Sequence, residues 1–210
     1  MRKLIILLFA STFAGVAFSQ ESFNEDSRNF DVKLDFAGYN GTLKDNSTDS
    51  VNSTAAAAVV ITPQMAWAVS RAISLGSSMA FSHYLDTSAS SMNGLDMNFL
   101  FDIHFVRAPK ADIMVGLKLG VAGIRLNAND GTGDVYGSMG LSRDLHFMAR
   151  FYVSEHIAII TSLGFPGYTF NKFGKNLNDT YTINLKGFCF GTGVAFKLSN
   201  KATAGKQRNM

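Results

Sequence analysis

Ten residues of this chain could do chemistry in concert: Asp31, Lys33, Asp35, Asp96, Asp102, His104, Lys118, His146, Arg150 and Lys197. Each sits in a stretch where polar or small residues alternate with large apolar ones. Such acids and bases could neutralise one another as an internal salt-bridge network, or line a path for protons or ions. Unpaired buried charges cost several kcal/mol each, so pairing is the expected state. Asp31 and Lys197 are one expected pair. Nucleophilic catalysis needs a nucleophile, a base and an orienting acid brought together, and the sequence announces no such constellation. Ser82 and His83 are adjacent, so on a strand they point to opposite faces. Cys189 is the one cysteine, which leaves no internal disulfide, and it reads as a small interior residue. Asn127 to Asp134 carries oxygen ligands at calcium-like spacing but lacks the terminal Glu of a calcium-binding loop. Those residues also make ordinary turns, so no metal site and no cofactor is expected.

The elements that carry these residues announce themselves by period. In Asp96–Phe105 every odd position is large and apolar (Met97, Phe99, Phe101, Ile103, Phe105), and among the even ones only Leu100 is not polar. A strand with one apolar and one polar face gives this pattern. It recurs over 30–39, 56–69, 73–84, 113–125, 136–153, 157–170 and 181–198. Eight strands result. Short turns fall near residues 71, 109 and 155. Long polar loops fall at 40–54, 85–95, 126–134 and 171–180. Pro63 interrupts its strand and suggests a bulge. Arg143 falls on the apolar parity and is therefore expected above the membrane.

Volume decides which face is inside. An eight-stranded barrel closes around an interior just wide enough for side chains or one small ligand. The bulky residues are too many for it, whereas Ser74, Gly76, Ser78, Ala80 and Ser82 suit a crowded lumen. The apolar face must then meet lipid, in an all-β, eight-stranded, antiparallel up-and-down transmembrane barrel. Aromatics sort by strand end: Tyr39, Tyr84, Tyr136, Tyr168 and Tyr181 near the long loops, and Trp67, Phe105, Phe151 and Tyr152 near the short turns. Two girdles at the membrane interfaces are expected from them.

The ends and the composition agree with this reading. Residues 1–19 combine a basic start, a short apolar run and a small-residue exit at Ala17–Ser19, the pattern of a secretory signal peptide. Residues 20–29 read as a polar periplasmic leader, 30–198 as the barrel, and 199–210 as a basic tail with Lys201, Lys206 and Arg208. Without Arg2 and Lys3 the formal charge falls from +3 to +1, which gives no reason to expect a nucleic-acid partner. Charged residues make up 17% of the chain, low against roughly 25% in soluble domains.

From Phe30 to Leu198 the chain resembles the small outer-membrane barrels of the OmpX type and the OmpA transmembrane domain. The resemblance rests on Thr62-Pro63-Gln64 before a short turn, on the returning Ile73-Ser74-Leu75-Gly76, and on the last strand. There Gly193, Phe196 and Leu198 look like the signal read by the barrel-assembly machinery, although the chain continues past the usual terminal residue. The resemblance implies a monomer in the outer membrane, in contact with its lipid. Two enzymatic relatives fit poorly: the His-x-Ser pair of PagL-type deacylases is missing, and residues 20–29 are too short and polar for the leading helix of PagP-type palmitoyltransferases. The expected role is a structural or adhesive scaffold with a plugged lumen, meeting an unidentified extracellular partner through the four long loops. The alternative is a narrow channel for small or hydrophobic solutes, as in OmpW-like barrels.

Overall fold

A computed structural model describes residues 27–85, 91–108, 110–127, 134–175 and 181–198. The signal peptide, most of the leader, the basic tail and most of the calcium-like loop lie outside these residues. Eight strands follow one another: β1 (Arg28–Asp45), β2 (Val51–Ala68), β3 (Ile73–Tyr84), β4 (Ser91–Ala108), β5 (Ala111–Asn127), β6 (Val135–Tyr152), β7 (Ile157–Lys175) and β8 (Tyr181–Leu198). Each pairs antiparallel with the next, and β8 closes on β1. Among the described residues there is no helix.

The register fixes the geometry of the barrel. Followed pair by pair, Asp31 leads to Gln64, Ser78, Asn98, Gly120, Ser142, Tyr168 and Leu185, and back to β1 at Gly41. The return is ten residues higher than the start. With strands ~4.8 Å apart and ~3.3 Å per residue, that stagger tilts them about 40° from the axis, a usual value for membrane barrels.

Alternation puts the two faces where volume requires. Asp31, Lys33 and Asp35 are buried while Val32, Leu34 and Phe36 are exposed, and Met97, Phe99, Phe101, Ile103 and Phe105 are all exposed on β4. Closure leaves no unpaired edge strand, as a barrel in lipid requires.

Several expectations need correction. The strands run further than the apolar pattern, because hairpin pairing continues above it. Asn40 to Lys44 and Val51 to Ala55 pair as β1–β2, and β1 runs on to Asp45, so the loop expected over 40–54 shrinks to 46–50. The loops expected at 85–95, 126–134 and 171–180 likewise lose residues to β4, β5 and β7, and β1 starts two residues earlier, at Arg28.

Pro63 causes no bulge. The β2–β3 ladder lacks pairs between Ile61 and Gln64, yet the register is the same on both sides. A missing N–H interrupts the ladder without displacing it. The register shifts that do occur are at His104/Val106, Gly137/Met139 and Phe170/Phe173. Lys172, inside the last of these, has φ 65°.

Arg143 does not clear the apolar belt. It points outward between Leu145 and Leu141, and Met139 follows higher up; Leu141 and Met139 are 68% and 70% exposed. Parity alone placed Arg143 at the top of the belt, but the outward residues above it, Leu141 and Met139, are still apolar.

Candidate functional site: the plugged lumen

Near the short-turn end the lumen is organised by Arg150, which is fully buried. One terminal nitrogen donates to Asp31 Oδ2 at 2.6 Å and the other to Asp112 Oδ2 at 2.9 Å. Asp31 Oδ2 also accepts from Gln64 Nε2 at 2.7 Å. β1 is thereby tied across the interior to the neighbouring strands β5 and β6, on which Asp112 and Arg150 are register partners. The expected Asp31–Lys197 pair is corrected here: in the seam Lys197 lies opposite Asn29, and Ala195 opposite Asp31. Lys197 is half-buried, with its own interaction.

Asp112 also holds a histidine. His104 Nδ1 lies 2.7 Å from Asp112 Oδ1, and its Nε2 lies 3.0 Å from Ser74 Oγ. An ionised carboxylate only accepts, so Nδ1 is the donor and Nε2 faces the hydroxyl. Serine, histidine and aspartate thus meet at the spacing of a catalytic triad, contrary to the sequence reading that no such groups converge. Ser74 is 0% exposed, however, and its Oγ also lies 3.4 Å from Asp102 Oδ2. A substrate carbonyl has no approach to that oxygen. As arranged, the three residues lock β3, β4 and β5 together.

Midway up, His146 Nε2 lies 2.9 Å from Asp102 Oδ1, a close approach that is out of line for a hydrogen bond. Gly116 makes this possible: a Cβ there would stand 1.9 Å from Asp102 Oδ1 and 2.5 Å from the imidazole. Lys118 pairs with Asp144 at 3.3 Å and Lys33 with Asp35 at 3.6 Å. Ser162 and Thr62 also donate to Asp35, at 3.0 Å and 3.4 Å. Between these groups remains a cavity of about 40 Å³, lined among others by Lys33, Asp35, Asp96, Lys118, Asp144 and Cys189. That is room for a few waters.

Towards the long-loop end the lumen changes character. Tyr168 donates to Asp96 Oδ2 at 2.8 Å, and Tyr39 packs against both Tyr84 and Tyr168 with ring centroids 5.7 and 5.8 Å away. Phe170 stacks on Tyr168, and Ile124, Ile183 and Leu185 join the cluster.

This placement corrects the upper girdle. Tyr39, Tyr84 and Tyr168 are only 3%, 3% and 7% exposed and point inward. Tyr136 and Tyr181 are partly buried against the same cluster. Tyr152, expected in the lower girdle, also faces the lumen. The expectation weighed strand ends and neglected parity: Tyr39 shares the face of Asp35, and Tyr152 that of Arg150. Trp67, Phe105 and Phe151 do face outward near the short turns.

Of the ten expected luminal residues, all but Lys197 are buried. Sequence reasoning missed Asp112 and Asp144, which carry two of the ion pairs. The signal was present, since Asp112 has the parity of Lys118, and Asp144 that of His146 and Arg150. Gly193 is half-buried, and Phe196 and Leu198 are exposed on the lipid face of β8, opposite Lys33, Phe30 and Arg28 of the closing strand.

No family model and no curated protein matches the sequence. Solved structures do match the fold. The outer membrane protein OprG from Pseudomonas aeruginosa superposes with a TM-score of 0.50 at 11% identity, covering 86% of this chain and all of that one. The outer membrane protein AlkL, solved in DMPC lipid bilayers, gives 0.52 at 12% identity, over 89% of this chain and 96% of that one. The chain has the fold of the small outer-membrane β-barrels. An apolar belt around a closed, polar-lined barrel belongs in that membrane, with the short turns in the periplasm.

Proposed function

We propose that this barrel is a structural or adhesive scaffold whose lumen does not conduct. The observation that carries the reading is the double closure of the interior. Arg150 and its two aspartates cross it near the periplasmic end, and Tyr39, Tyr84, Tyr168 and Phe170 fill it near the other. A small cavity of about 40 Å³ lies between. A hydrated ion would have to displace both layers. The outward extension of β1 and β2 beyond the apolar belt supports a platform that carries the loops to an external partner. Under this reading the buried Ser74–His104–Asp112 cluster is structural.

A narrow route for apolar solutes is the second reading, favoured by one feature. Beside Pro166 the β7–β8 ladder lacks pairs between Gly164 and Gly167. Pro166 and Leu163 also border the luminal cavity, so a path sideways into lipid would start there.

Planar-bilayer conductance separates a closed plug from an open pore. Folded protein, verified by heat-dependent gel mobility, is expected to leave the bilayer quiet. Reproducible discrete steps would overturn the scaffold reading. If the bilayer stays quiet, uptake of a fluorescent apolar probe into vesicles bearing the protein tests the lateral route, and no acceleration over empty vesicles is expected.

A further inference from the structure

Outside the lumen, the wall of the barrel carries two cations at the upper border of its apolar zone, where Lys186 is in register with the exposed Asn40 and Asn184 lies above it. Arg143 of β6 is in register with Gly167 of β7, and Gly167 with Lys186 of β8. All three belong to the outward face, and both cations are exposed. Two strand spacings separate the cations' backbones, roughly 10 Å. The glycine between them is buried. A Cβ at position 167 would lie 3.1 Å from Arg143 Nε and 3.4 Å from its Cγ, so the arginine side chain lies across the glycine, towards Lys186. Neither cation makes a salt bridge among the described residues.

The surroundings say what would meet the two cations. Towards the periplasm they are floored by Phe165 and Phe188, both about half exposed, which meet edge-to-face with centroids 5.7 Å apart. On its other flank Arg143 is in register with the exposed Leu119, and Leu119 with Phe99. Arg143 therefore sits in the extracellular half of the belt, where an arginine on the lipid face without a partner is the more costly the deeper it lies. A phosphate reaching down from the headgroup layer would meet a guanidinium suited to two-pronged binding and an ammonium, while its acyl chain would lie along Phe165 and Phe188.

We propose that Arg143, Gly167 and Lys186 form a binding site for the phosphate of an anionic lipid in the outer leaflet. The site is independent of whether the lumen conducts.

Native mass spectrometry of the full, folded chain in detergent tests it, with dioleoyl phosphatidic acid and dioleoylglycerol as probes that differ by the phosphate. One phosphatidic acid is expected to be retained and the diacylglycerol not. The double substitution Arg143→Leu with Lys186→Met should weaken retention at least about tenfold, the value of one charge-assisted hydrogen bond. Arg125→Gln, a substitution of an exposed cation outside the site, should leave retention unchanged. Equal retention of the two lipids, or retention unaffected by the double substitution, would overturn the proposal. Displacement of the lipid by equimolar inorganic phosphate would also overturn it, because the site would then be one for soluble phosphate. Both substitutions place apolar groups against lipid. Should the double variant still fail to close, the two-lipid comparison on the unaltered protein decides alone.

Discussion

At the scale of the residue, Arg150 carries more of this molecule than any other side chain. It is fully buried, and its two carboxylate partners come from β1 and β5. Removing one member of such a network is costly because the others stay buried and charged. Arg150→Met should therefore destabilise the barrel by about 3–5 kcal/mol, read as a lower urea midpoint in lipid vesicles. Adding Asp31→Leu and Asp112→Leu to the same variant should recover most of the loss, since a packed apolar core can replace a buried ion network at little cost. If the triple variant is as weak as the single one, Arg150 acts through its shape and not its charge. Parity alone assigns Asp31, Lys33, Asp35, Lys118, His146 and Arg150 to the interior. What parity cannot give is who meets whom. Partners across a lumen depend on stagger, which is a property of the closed ring and absent from any single strand. The expected Asp31–Lys197 pair failed for that reason: two residues at one seam are not on one level.

At the scale of the element, the two strand prolines behave alike. Both leave gaps in one ladder while the opposite ladder stays in register: Val32 still faces Pro63, and Asp144 still faces Pro166. At Pro166 the loss is partly offset, because Asp144 Oδ1 accepts the Phe165 N–H at 3.0 Å. Pro166→Ala restores a backbone donor. It is expected to raise stability by about 1 kcal/mol, the net worth of one hydrogen bond, measured as a shift in the same urea midpoint. An unchanged midpoint would mean that the strand is held apart by its neighbours and not by the missing N–H. The strands were legible in the sequence because apolar residues recur at period two. Their upper ends were not, since Asn40–Asp45 and Ser91–Leu95 pair by hairpin continuity and carry little of that pattern.

At the scale of the whole molecule, the described exterior offers a single internal probe of depth. Trp67 is the only tryptophan of the chain. It is 38% exposed on the lipid face, one residue from the end of β2 beside a short turn. Its fluorescence should be quenched more strongly by lipids brominated near the headgroup than by lipids brominated near the chain ends, as an aromatic at the interface requires. The reverse order would shift the whole barrel along the membrane normal. Fold, strand count and orientation were all readable from alternation and loop spacing. The upper girdle was not, because height along a strand and the face of a strand are separate coordinates, and the tyrosines matched only the first.

The seam between β1 and β8 has a consequence of its own. It joins Arg28 to Leu198 and Asp45 to Tyr181, residues remote in sequence, whereas every other ladder grows from a local turn. The cost of closing a loop rises with the logarithm of its length, so the seam is the last contact the chain can make cheaply. Because Arg28 and Leu198 are direct partners at one rim, a short turn could bridge them, and the chain could be opened instead between Asp45 and Val51. Such a circular permutant would have the same ring of pairings with a different final joint. The ring has a weak link only because the polypeptide must start somewhere.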